Sequence, residues 1–279
     1  MYTTGAPVAA TERPLRITGA LRREFRKSSA TAQDDRLPGF ITDMVGPYGL
    51  HFDSEPYQAN LGQSFSEMCE PLVTELVSEP VELLVLAYDL HDLRPGQATS
   101  IYLSQVCPGQ PLAFAVCDQG NAAPHTALSL IQSYARTGGL QHALLLVAEQ
   151  STLHYRPLHP TPLPQRHVAA AFRLEAGPGC TTTVRTDVAP DRVSTELRAL
   201  LPAGGGVVVL GNELAAGLTE PLPLATVAAP PGQPLTGSWW GLAEQLPGEQ
   251  TVVVADFEPR LGYLSVTVQE PAPVAAARS

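Results

Sequence analysis

The chain has 279 residues, of which 44% are hydrophobic and only 16% charged, and its formal net charge is −10. That length and apolar content suit one large domain or two fused halves. A charged fraction well under the roughly 25% usual for soluble domains points to an oligomer that covers part of its surface, and the acidic balance argues against nucleic acid, whose phosphates need clustered Lys and Arg. Residues 1–56 read as an irregular lead-in, with a first strand at Pro14–Arg22 and a turn-rich loop over Gln33–Pro56. Helical spacing of Leu61, Phe65, Met68, Leu72 and Leu76 predicts a helix over Tyr57–Val77, kinked or divided by Pro71. Three apolar runs, Glu82–Asp89, Leu112–Cys117 and Ala143–Ala148, read as strands covered on both faces. Helices at Gly96–Val106 and Ala122–Arg136 alternate with them, the second stopped by Gly138 and Gly139.

A proline-rich connector, residues 154–166, separates this half (1–153) from a second (167–279). There the pattern predicts strands at Val168–Leu174, Val207–Leu210, Thr251–Ala255 and Tyr263–Val268, with helices at Arg192–Leu201 and Trp239–Gln245. Strands alternating with helices imply βαβ units and a largely parallel sheet, and the two halves read as a pseudo-repeat. No apolar stretch approaches the roughly 20 residues that span a bilayer. The start, MYTTGAPVAATERPLR, lacks a signal peptide's basic and apolar regions, so a cytoplasmic protein with no membrane contact is expected. Cys69, Cys107, Cys117 and Cys180 have no CxxC spacing, and no metal, disulfide framework or cofactor is expected. Lys27 is the sole lysine in an Ala-, Pro- and Gly-rich chain, as in the products of GC-rich bacterial genomes.

The segment Val81–Tyr155 resembles the N-terminal half of thiolase-fold condensing enzymes, above all the initiating (type III) ketoacyl-ACP synthases. PVELLVLAYDLHDLRPGQATSIYLSQV matches a strand and a P-x-x-A helix; PLAFAVCDQGNAAPHTALSLIQSYARTGGLQHALLLVAEQ matches the strand, nucleophile turn, buried helix and closing ALVV-x-E strand. RHVAAAFRLE and LTGSWWGLAEQLPGEQTVVVADFEPRLGYLSVTV resemble later elements. The resemblance implies a five-layered αβαβα sandwich of two pseudo-repeated halves.

It also implies a cysteine nucleophile at the start of the buried helix, where the helix dipole lowers the thiol pKa. Here that position holds Asn121, which forms no thioester. The family's His turn corresponds to Leu210–Leu218, without histidine, and its Asn turn to Pro234–Leu242, without asparagine. Its glycine-rich oxyanion turn corresponds to DFEPRLG, Asp256–Gly262.

The candidate site residues are Asn121, Gln119 and His125, each with a plainer reading. Asn121 suits a helix N-cap, and Gln119 or Asn121 suits an oxyanion donor. His125 is either a general base or a packed core residue. Cys117 lies inside a strand, a poor place for a nucleophile. Asp89, His91 and Asp92 stand at a strand end, where α/β ligands bind. Trp239 and Trp240 either plug a tunnel or pack in the core, and His154, His159 and His167 lack metal-site spacing. Gly204–Gly206 lacks the context of a phosphate loop.

The resemblance and its departures imply a degenerate, non-condensing ketosynthase-like subunit of polyketide or fatty-acyl natural-product biosynthesis, not an independent condensing enzyme. Its expected partner is an active ketosynthase or a second copy, with acyl carrier protein as a further contact. An enzyme of altered chemistry (acyltransferase, decarboxylase or cyclase) and a homodimeric metabolite-binding protein stay open as alternatives.

Overall fold

The computed structural model describes residues 14–158, 162–246 and 248–271. Strand β1 (Leu15–Phe25) is followed by helices α1 (Leu37–Val45), α2 (Ser54–Gln58) and α3 (Phe65–Leu76), then β2 (Leu83–Ala87), α4 (Thr99–Val106), β3 (Leu112–Val116), α5 (Ala123–Gly138), β4 (His142–Glu149) and β5 (His167–Ala176). The second series is β6 (Cys180–Arg185), α6 (Val193–Leu200), β7 (Val207–Leu210), α7 (Asn212–Gly217), β8 (Ala225–Ala228), α8 (Thr236–Gln245), β9 (Val252–Glu258) and β10 (Tyr263–Gln269).

The strands form two five-stranded sheets, ordered β1-β5-β4-β2-β3 and β6-β10-β9-β7-β8. Renumbered within each half the two orders are the same, so the pseudo-repeat is topological. In each sheet two pairings are parallel and two antiparallel. The sheets are therefore mixed, not largely parallel, because β5 and β10 each return beside the strand they follow. Strand β5 lies beyond the connector yet pairs with β4 and β1, so the passage between sheets falls at residues 177–179.

Side-chain alternation builds the layers. Leu83, Val85, Ala87, Leu145 and Val147 face the space between the sheets, with Val209 and Val254 opposite, and α5 and α8 fill that space. Leu84, Leu86, Leu144 and Leu146 point the other way, under α3 and α4. Val208, Val253, Leu264 and Val266 pack beneath α6 and α7. This is the five-layered αβαβα sandwich.

Three local expectations change. The predicted helix at Tyr57–Val77 is two helices, and the break comes at residues 59–64, not at Pro71, which sits inside α3. Gly62 has φ +135 there, and Ser64 with Glu67 forms a reciprocal capping box that fixes the start of α3. The loop predicted over Gln33–Pro56 contains α1, whose Leu37, Ile41 and Val45 recur at helical spacing and pack with Leu93. Strand β3 is not covered on both faces: it is a sheet edge, with Leu112 56% exposed and Ala115 exposed.

Candidate active site

Both buried helices begin at one cavity of about 260 Å³, lined by Asp89, Leu90, Gly120, Asn121, Glu149 and Glu258 inside, with Glu213 and Arg260 among its more open wall. Each sheet's middle strand ends there in a glutamate, Glu149 on β4 and Glu258 on β9. Each glutamate crosses to the helix of the other half. Backbone N–H groups at the start of a helix have no intrahelical partner and attract anions. At α8 those of Leu235 and Thr236 both donate to Glu149 at 2.7 Å, joined by the Thr236 hydroxyl at 2.5 Å and the Gln233 amide at 3.3 Å. Burial still dominates, and pushes the Glu149 carboxyl up to about 7 against these donors.

At the start of α5, preceded by a single 3₁₀ turn, the Gly120 N–H donates to Asp89 at 2.9 Å and the Asn121 N–H to Glu258 at 3.4 Å. Arg260 holds both acids in place: its Nε donates to Glu258 at 2.8 Å and its NH2 group to Asp89 at 3.4 Å. Gly120 sits at φ +53, and a Cβ there would collide with the Glu258 carboxylate. The close approach of carboxylate to helix therefore needs glycine at this position.

Asn121 is 6% exposed and its Nδ2 donates to the Phe257 carbonyl at 2.8 Å. A carbonyl only accepts, so this bond fixes the amide orientation. Among the described residues Asn121 Oδ1 is then left buried without a hydrogen-bond partner. The side chain bonds to β9 instead of capping its own helix.

Of the other sequence candidates, Gln119 accepts from the Thr126 hydroxyl at 2.6 Å and does not line the cavity. His125 is fully buried beneath the site: Nε2 meets Asp256 at 2.9 Å and Nδ1 meets Thr267 at 2.8 Å. Ser238 donates to the same Asp256 oxygen at 2.7 Å, and Thr182 extends the chain through Thr267 at 3.0 Å. This network ties α5 and α8 to the second sheet, and His125 is not among the residues that line the cavity. The Cys117 thiol faces Asp118 at 3.2 Å and is pushed up by burial and by that carboxylate.

Asp92 and His91 are separate from the cavity. Asp92 accepts from the Phe65 and Leu93 N–H groups and from Thr99, joining the starts of α3 and α4, while His91 stacks on Tyr155 at 5.5 Å. Trp239 is core, packed edge-on against His125 and Phe172. Trp240 lies under Arg22 at 4.9 Å and donates to Glu244. His154 and His167 are buried, the latter driven down to about 4 by desolvation, and His159 lies outside the described residues. Among the described residues no group of three or more His, Cys, Asp or Glu is arranged to hold a metal, and no helix is long and apolar enough to cross a membrane.

Asn121 and Asp89 line the cavity, and Glu149, Glu258 and Arg260, none of them a candidate from the sequence, join them there. The signal was present: a glutamate closing a buried strand, twice, in ALLLVAE and VVVADFE.

No model of a known protein family matches the sequence, and no curated protein matches it. Solved structures do match the fold. One is 3-oxoacyl-(acyl carrier protein) synthase III of Pseudomonas aeruginosa PAO1, at TM-score 0.64 and 15% identity over 94% of this chain and 100% of that one. A second is a tetronic acid condensing enzyme, at TM-score 0.63 and 15% identity over 92% and 99% of the two chains. A third is OleA of Xanthomonas campestris, at TM-score 0.59 and 11% identity over 92% and 98%. The chain thus has the thiolase-like αβαβα fold of the type III condensing enzymes.

Proposed function

We propose that the chain is a ketosynthase-like protein of bacterial polyketide or fatty-acyl natural-product biosynthesis that no longer condenses and acts beside an active ketosynthase. The observation that carries this reading is the occupation of both buried helix starts by the chain's own carboxylates. Condensation needs a thiolate at the start of α5 and free N–H donors for an oxyanion. In their place stand Asn121, which carries no thiol, and the Gly120 and Asn121 N–H groups already given to Asp89 and Glu258. A developing oxyanion there would meet two carboxylates instead of two donors.

Pairing is supported by the β3 edge. Leu112 N–H bonds inward to Glu82, so by strand alternation the Ala113 and Ala115 N–H groups face the open side. Around that edge Leu112, Leu130 and Tyr134 remain exposed. An uncovered edge beside apolar side chains is stabilised by a second strand across a two-fold axis. The partner is an active ketosynthase or a second copy, and carrier-protein contact falls to that partner or to a local Arg patch. Co-expression with a ketosynthase encoded beside it, followed by size-exclusion chromatography with light scattering, tests the pairing: a 1:1 complex supports it, and a wild-type chain that stays monomeric overturns it.

One observation favours the enzyme reading: Glu149 titrates near neutrality in the cavity wall, as suits a general acid or base in acyl transfer or decarboxylation. Turnover of an acyl-CoA or malonyl-CoA by the chain alone, lost in Glu149→Gln, would favour that reading over the non-catalytic one.

A further inference from the structure

The segment between β1 and α3 packs apart from the layers. Leu37, Ile41 and Val45 of α1 form a small cluster with Leu93, flanked by Phe52 and Tyr155. An isolated antiparallel bridge, Phe52 to Tyr155, and the Asp53 N–H donated to the His154 carbonyl at 2.7 Å fasten it to the loop that leaves β4. Each ring of that bridge carries an imidazole. His154 stacks on Phe52 at 6.2 Å, 5° from parallel, and His91, from the loop that leaves β2, stacks on Tyr155 at 5.5 Å. His154 is 0% exposed and, among the described residues, neither of its ring nitrogens has a partner. His91 Nδ1 lies 3.1 Å from the Asp92 carbonyl, which only accepts, so Nδ1 carries the hydrogen, and Nε2 is buried without a partner. An added proton on either ring therefore enters a site that holds no acceptor for it.

The surrounding charges do not reverse this. Asp53 is engaged by Arg156 at 3.6 Å and by the Glu55 N–H at 3.1 Å. The Asp92 carboxylate accepts from the Phe65 and Leu93 N–H groups and from Thr99. The two imidazoles repel each other once both are charged, His51 is exposed, and Tyr57 and Tyr155 carry no charge in acid. Burial accordingly drives both His91 and His154 below the usual imidazole value.

We infer that His91 and His154 form an acid-released latch that holds residues 37–58 against the two loops leaving β2 and β4. Those loops begin next to Asp89 and Glu149, so release also frees the chain that follows two cavity residues. Once the segment opens, both rings reach water and titrate near their ordinary 6.5. The closed form binds fewer protons, so it is favoured at neutral pH and loses ground as pH falls below about 6.5. Between pH 7.5 and 5.0 each imidazole raises the opening constant by up to about 30-fold. Asp92, whose carboxyl burial pushes up, acts in the opposite sense. The latch is independent of whether the chain condenses or pairs.

Hydrogen–deuterium exchange of the full chain, read by mass spectrometry as protection factors at pH 7.5 and 5.0, tests it. Peptides over residues 37–58 should lose at least about tenfold in protection at pH 5.0, while those over β2 and β4 keep theirs. His154→Phe, which keeps an aromatic ring on Phe52 and takes no proton, should cut that loss at least about threefold. His91→Phe should do the same, and it carries the test should the melting temperature of His154→Phe at pH 7.5 show that it fails to fold. His167, which accepts from the Ser151 N–H at 3.1 Å in the loop after β4, is retained in both variants. Equal protection of residues 37–58 at the two pH values, a loss shared equally by β2 and β4, or a loss in either folded variant as large as in the wild type would each overturn the assignment.

Discussion

Placing a cysteine at residue 121 should not create a reactive thiolate. At a free helix start the dipole and the unpaired N–H groups lower a thiol pKa by one or more units. In this chain the same N–H groups are engaged by Asp89 and Glu258 at 2.9 and 3.4 Å. A thiolate at residue 121 would stand roughly 5 Å from the Glu258 carboxylate, and at an effective dielectric of about 20 that repulsion is about 3 kcal/mol, or about two pH units of thiol pKa. Arg260, bonded to both acids, offsets part of it. The Asn121→Cys thiol should therefore titrate at about 9–10, above the ordinary cysteine near 8.5. The assay is the rate of iodoacetamide alkylation against pH in a Cys117→Ser background, since Cys69, Cys107 and Cys180 are buried. Adding Glu258→Gln should bring the midpoint down by about 1–2 pH units. A thiol that titrates below about 7 with Glu258 in place, or that ignores the Glu258 change, would show that the carboxylates do not close the helix start.

Three further outcomes follow from the geometry. Ala115→Pro removes an outward-facing N–H from edge strand β3, so the variant should fold with a near-native melting temperature yet run as a monomer in size-exclusion chromatography. His125→Ala strips the Asp256 carboxylate of its imidazole partner inside the core, and should lower unfolding stability in urea by about 3–5 kcal/mol. Glu149 has a folded pKa of about 7, above its ordinary 4.5, so the unfolded chain gives up this proton first as pH rises. Its contribution to stability is then largest below about 4.5 and lost by about 7, on the order of 3 kcal/mol in all. Thermal melts from pH 5 to 8 should show the wild type losing stability relative to Glu149→Gln, and parallel curves would refute this.

The layering was legible because burial writes itself into sequence as alternation and run length. LLVLA and ALLLVA are apolar throughout since β2 and β4 are sandwiched between layers, and Leu83, Leu84 and Leu86 lie at 0–1% exposure. LAFAV reads the same way for a different reason: its apolar residues face an open edge, and composition alone does not say whether a second chain or the same chain covers them. Helix α1 was hidden by Gly39 and Gly46, which break a propensity reading while Leu37, Ile41 and Val45 pack underneath. Short β6 and β8 escaped because Thr181–Thr183 and Ala225–Ala228 are exposed or half-exposed strands with little apolar pattern. At the site, Asn121 stands out through the resemblance, which sets it at the position of the family's cysteine. The reach of Glu149 and Glu258 to the opposite helix was not visible, since it depends on two halves meeting and no local pattern encodes that contact. His125 carried a reactive side chain in a suggestive place, but its function is set by Asp256, 131 positions away.

Intact-protein mass spectrometry tests the non-condensing claim most directly. The full chain is incubated with acetyl-, hexanoyl- and malonyl-CoA, with and without acyl carrier protein, and its mass is read before and after. The account predicts an unchanged mass, because Asn121 forms no thioester and burial and Asp118 push the Cys117 thiol pKa up, away from a reactive thiolate. A stable acyl adduct mapping to Cys117 would contradict it.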